Sequence, residues 1–137
     1  MKPPIDISYW PVVVVDWPPV MTAEDVDAHF VEIRALASRT EALGIVVDMT
    51  LSGTPAAPLR RHAARQLEQS YAVAGRRIVG VAHVITSPLV RGMLTAVYWL
   101  SPPPFRTVVV GSRTEAIEWA TRRVRMASAA ESGSAEL

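Results

Sequence analysis

Four short polar side chains follow one apolar run closely enough to act together. They are Asp48, Thr50, Ser52 and Thr54, within Leu43-Gly44-Ile45-Val46-Val47-Asp48-Met49-Thr50-Leu51-Ser52-Gly53-Thr54-Pro55. A carboxylate at a strand end can act as a general base, ligate a metal, or bind the N–H groups of the loop that follows. No second acid accompanies Asp48 in sequence, which favours the last of these, and turn and cap roles suit the hydroxyls. The histidines, His29, His62 and His83, have no metal-ligand spacing. His83 lies in an apolar run and reads as a core histidine with a satisfied ring. The chain has no nucleophile elbow, phosphate-cradling glycine loop or dinucleotide fingerprint. It has no cysteine either, so thiolate catalysis, disulfides and zinc–thiolate sites are excluded. The expectation is a protein without catalytic residues, metal or cofactor.

The surrounding pattern indicates what positions these residues. Ile5–Trp10 alternates loosely and Pro11 interrupts it, which predicts an edge strand. Val12-Val13-Val14-Val15 reads as a strand buried on both faces. Thr22 begins a helix with acids in its first turn, and Val26, Phe30, Ile33 and Ala37 form its apolar stripe to about Thr40. After the strand ending at Met49, Thr54-Pro55 predicts a second helix entrance, with Leu59, Ala63, Leu67, Tyr71 and Ala74 inward and Gly75 as the stop. Arg77–Thr86 predicts a strand and Ser87-Pro88 a third helix. Phe105–Val110 is the last strand, and Ser112 with Glu115 begins the last helix as a capping-box match. From Ser128 the residues turn small and polar, so the domain is expected over residues 1–127, with a flexible tail over 128–137.

The third helix, Leu89 to Leu100, is apolar almost all round. Leu89, Val90, Met93, Leu94, Tyr98 and Trp99 leave only a narrow polar line at Arg91 and Thr95. Such a helix needs cover on more than one side. The cover could come from this domain, a second chain or a ligand.

At 137 residues, one domain with a real core is expected. No run approaches the roughly 18 apolar residues of a membrane span, and Met1–Asp6 lacks the apolar stretch of a secretory signal. These features predict a cytoplasmic protein. A formal net charge of +1 argues against a nucleic-acid binder. Acids gather early and arginines later, Arg60 and Arg61 among them. Solvated helix faces account for that division, and a face for an acidic partner is the sharper alternative.

The element order is β-β-α-β-α-β-α-β-α, which predicts an α/β domain with a mixed, mostly parallel sheet of about five strands and four helices. This order resembles the STAS-like family, the fold of bacterial anti-sigma-factor antagonists (SpoIIAA-like), which is related to the CRAL-TRIO lipid-binding fold. The resemblance rests on Val12-Val13-Val14-Val15-Asp16-Trp17 before Thr22-Ala23-Glu24-Asp25, on Gly44-Ile45-Val46-Val47-Asp48-Met49-Thr50, and on Phe105–Ser112 leading into Glu115–Trp119. It implies a non-enzymatic signalling module that binds a protein partner, itself or a signalling protein, and it places Thr50, Ser52 and Thr54 where the family is phosphorylated. The family's Asp-Ser-Ser/Thr-Gly core is missing here, and only Ser52-Gly53 remains. Two functional classes follow. One is a regulatory module, a homodimer included, working through the surface from Thr50 to Leu59, with Asp48, Arg60 and Arg61 beside it, and through the apolar helix. The other is a small apolar-ligand or lipid-binding domain of CRAL-TRIO type.

Overall fold

The computed structural model describes residues 2–136, with side chains through Ala130. The elements are β1 (Ile5–Asp6), β2 (Val12–Asp16), α1 (Ala23–Ala37), β3 (Leu43–Asp48), α2 (Ala57–Ala74), β4 (Ile78–Val84), α3 (Pro88–Leu100), β5 (Arg106–Val110) and α4 (Arg113–Glu136). The α/β class and the element order are those expected from the sequence. One five-stranded sheet runs β1-β2-β3-β4-β5, antiparallel only between β1 and β2.

Local chemistry explains most boundaries. The Thr22 hydroxyl accepts from the Asp25 N–H, and the Asp25 carboxylate accepts from the Thr22 N–H, which closes a capping box on α1. This helix ends at Ala37, a turn earlier than expected. The entrance to α2 also differs: Thr54 caps nothing, and the helix starts at Ala57 behind an Ala56 cap with no side-chain bond. Two prolines set that start. Pro55 holds residue 54 out of the helical region, and Pro58 is tolerated because it falls in the first turn. The Ser87 hydroxyl accepts from the Val90 N–H to begin α3, and the Ser112 hydroxyl accepts from the Glu115 N–H to begin α4. α4 remains helical past Ser128, where the composition changes, to Glu136.

Strand parity divides the core in two. Val12, Val14, Val46, Ala82 and Val84 point to one face and meet Ala116 and Ala120 of α4. Val13, Val15, Ile45 and Val81 point to the other, where Ile33, Leu36 and Ala37 of α1 and Ala74 of α2 complete the cluster. All four valines of β2 are therefore buried.

The two faces are packed differently. α4 lies directly on β3 and β4, whereas α1, α2 and α3 make few close backbone approaches to any strand. Glycines permit the close side. A Cβ on Gly80 would stand 2.9 Å from the Trp119 ring, and one on Gly44 would stand 3.1 Å from Val124 and 3.2 Å from the Ala120 carbonyl. By contrast, a Cβ on Gly92, in the second turn of α3, would meet nothing within 4 Å.

Gly80 and Gly92 give opposite expectations. Gly80→Ala should lower the unfolding free energy by about 1–3 kcal/mol, because Trp119 must move off the sheet. Gly92→Ala should raise it by up to about 1 kcal/mol through helix propensity. Urea denaturation measures both, and a Gly80→Ala variant as stable as the parent would contradict the packing described.

Candidate binding cavity

Where α1, α2 and α3 stand off from the sheet, they leave a partly open cavity of about 380 Å³. Its floor is the inward row of β3 and β4, with Ile45, Val47, Ile78, Val81 and His83. Its walls are Val26, His29, Phe30 and Ile33 of α1, Leu59, Ala63, Leu67, Ser70 and Tyr71 of α2, and Val90, Met93, Leu94, Val97 and Tyr98 of α3. Pro18–Met21 and Ser52–Ala56 form a rim beyond the carboxyl ends of β2 and β3. Open parallel sheets keep their ligand crevices at those ends.

Polar bonds hold the roof helices to one another. Asp27 on α1 accepts at one oxygen from both His62 Nε2 and Gln66 Nε2 of α2, each at 2.6 Å. Farther along, Arg34 Nη1 donates to Ser70 Oγ at 3.1 Å. α3 is tied at its far end, where the Ser101 hydroxyl donates to Glu68 Oε1 at 2.9 Å and Tyr98 bonds to His83. These links join roof to roof, and α3 to β4, without drawing α1 or α2 down onto the strands.

The cavity is apolar except for a few buried groups. The Tyr98 hydroxyl and His83 Nε2 are hydrogen-bonded at 2.6 Å. His29 sits edge-on between Trp17 and Phe30, with ring centroids 5.0 and 4.9 Å away. Nδ1 of each of these histidines, and the Tyr71 hydroxyl, are buried without a hydrogen-bond partner among the described residues. Burial pushes both imidazoles down to about 4, with Lys2 adding a smaller push at His29, so both rings are neutral at pH 7. Burial also pushes the Tyr71 phenol up to about 12, helped by Glu68, and raises Tyr98.

The residues singled out in the sequence are split between two places. Asp48 points away from the cavity. Arg113 donates to it through Nε and Nη2, at 3.2 and 3.1 Å, and Nη2 also bonds Asp16, the register neighbour of Asp48. Asp48 Oδ1 accepts from the Thr50 N–H at 3.0 Å and from its hydroxyl at 2.7 Å, which closes the turn after β3. Burial would raise the Asp48 carboxyl, but the bonds from Thr50 and Arg113 outweigh it and hold the group below the usual carboxylate range. At Arg113 burial acts downward and is likewise outweighed by the two aspartates. Asp48 and His83 therefore lie on opposite faces of the sheet and share no cleft.

Ser52, Thr54 and Arg60 lie on the cavity rim, where Arg60 Nη1 donates to the Pro55 carbonyl at 2.7 Å, and Arg61 faces solvent. Val90, Met93, Leu94 and Tyr98 line the cavity, while Leu89 (65% exposed) and Trp99 (82% exposed) stand outside it. The cover that α3 needs is thus supplied on one side only. Sequence reasoning missed His29 and Tyr71 as cavity residues, although both fall on the apolar stripes of their helices. Among the described residues no cluster of His, Asp and Glu could hold a metal ion, and no helix is long and apolar enough to cross a membrane.

The buried imidazoles set a pH dependence. Each is ordinarily protonated below about 6.5 in an unfolded chain, but in the folded protein only below about 4. Between those values the unfolded state binds more protons, so stability falls as pH is lowered through the window. The full loss is on the order of 3 kcal/mol per imidazole. Urea midpoints should drop between pH 7 and pH 4.5, and less steeply in His83→Gln. A midpoint constant over that range would mean the rings are not held neutral.

No protein-family model matches this chain, and no curated protein matches it.

Proposed function

We propose that this protein binds a small apolar molecule in the cavity between α1–α3 and the sheet. The observation carrying this reading is the cavity itself. Protein interiors close-pack, and unfilled apolar volume costs about 24 cal/mol per Å³. This cavity of about 380 Å³ opens to solvent at its rim, so its apolar walls face water or empty space unless something fills it. An apolar ligand offsets this cost by supplying the missing contacts, and a volume of this size suits a drug-sized molecule. The relation of this element order to the CRAL-TRIO lipid-binding fold supports the same reading.

Pyrene, a fluorescent hydrocarbon with no hydrogen-bonding atom, tests it directly. Titration should give saturable binding in the micromolar range or tighter, with an emission spectrum typical of an apolar environment. Ala63→Phe, which fills the wall of α2, should weaken pyrene at least tenfold while raising the urea midpoint. A folded protein that does not bind pyrene would remove the reading.

A second reading, a regulatory module that docks on another protein or on its own copy, is favoured by the outer side of α3. Leu89, Trp99 and Leu100 are exposed there, and aromatic residues of this kind anchor interfaces. Light scattering over a concentration series separates self-association from a monomer. If α3 mediates self-association, Trp99→Glu should shift the mass to that of one chain.

A further inference from the structure

We infer that the ligand carries one uncharged hydrogen-bonding group, a hydroxyl above all, which bonds the His83–Tyr98 pair inside the cavity. This rests on the cavity being a ligand site and adds the chemical class of what it takes.

His83 is 5% exposed, and among the described residues its only polar partner is the Tyr98 hydroxyl, at 2.6 Å. Two arrangements of the proton between Nε2 and the phenol are open to a neutral imidazole, and Nδ1 is unpaired in both. If Tyr98 donates to Nε2, its oxygen keeps acceptor capacity toward the cavity. If Nε2–H donates to Tyr98, the phenol O–H is free to donate. A ligand hydroxyl, which both donates and accepts, completes either arrangement, whereas a carbonyl completes only the second. Tyr71 lines the same cavity, and its hydroxyl has no protein partner among the described residues. A buried phenol left unpaired is costly, and a ligand oxygen is the kind of partner it lacks.

The absence of compensating charge points away from an anionic ligand. Among the described residues the one cation lining the cavity is Arg60, at the rim, and one of its amino groups is engaged by the Pro55 carbonyl. The imidazoles inside are held neutral by burial. A carboxylate drawn in past Arg60, to the His83–Tyr98 pair, would be desolvated without a cation to meet it.

The experiment is displacement of bound pyrene by 1-decanol and by decanoate at pH 7.5, in the parent protein and in Tyr98→Phe. Decanol is expected to displace pyrene at a concentration at least tenfold lower than decanoate. In Tyr98→Phe the decanol concentration should rise about tenfold while pyrene affinity changes less than twofold, which also shows that the variant cavity is intact. Tyr71→Phe should weaken decanol in the same direction by a smaller factor. If Tyr98→Phe fails to fold or to bind pyrene, Tyr71→Phe and the decanol-to-decanoate ratio in the parent decide the matter. Pyrene binding with decanoate equal to or tighter than decanol would overturn the inference and leave the cavity reading standing. Decanol affinity indifferent to Tyr98→Phe would do the same. Failure of pyrene to bind the parent would remove both together.

Discussion

Four parallel strands in sequential order, each joined to the next by a right-handed crossover, put all three crossover helices on one face of the sheet. The other face is left to whatever follows the last strand, here α4 alone. One helix can cover a sheet face only by lying close to it, and the chain makes that approach with Gly44, Gly80, Ala116 and Ala120. On the opposite face three helices share the area and need not press down. They brace one another through Asp27 with His62 and Gln66, and through Arg34 with Ser70, over large side chains such as Phe30 and Tyr71. The cavity follows from that arrangement.

This division also separates the two groups of polar side chains. The Asp16–Arg113–Asp48 bridge belongs to the tight face, where it ties the carboxyl ends of β2 and β3 to the start of α4. It is solvated on one side and its carboxylates are engaged, so its role is to hold the strand ends and the Asp48–Thr50 turn in place. His83, Tyr98, His29 and Tyr71 belong to the open face. There burial keeps them neutral, and not all of their hydrogen-bonding capacity is used within the chain. A neutral, partly unsatisfied set inside an apolar space is the feature on which the proposed ligand reading rests.

α3 connects the proposed readings. Its inner side lines the cavity and its outer side is exposed, with Val90 its one buried residue. The apolar circumference of this helix is thereby divided between a space inside the domain and the surface outside it. It is joined to the remainder chiefly by the Ser101–Glu68 and Tyr98–His83 hydrogen bonds. Few close contacts and a glycine in open space are features of a segment of low local stability.

The sequence by itself determined the elements, their order and which side chains turn inward. Val12–Val15, the Val26-Phe30-Ile33-Ala37 stripe, the Thr22 and Ser87 caps and the Gly75 stop all follow from local hydrogen bonding and from side-chain period along the chain. The fold class follows as well, because alternation and crossover handedness leave few alternatives. Only the tertiary structure decided how far each layer stands from the next. That distance depends on which side chains meet across the gap, as Trp119 meets Gly80 or Tyr98 meets His83, and periodicity carries no information about it. The same limit placed Asp48 against Arg113, 65 residues away, and not with His83. Strand parity assigns Asp48 and His83 to opposite faces only once the register pairs Val47 with His83.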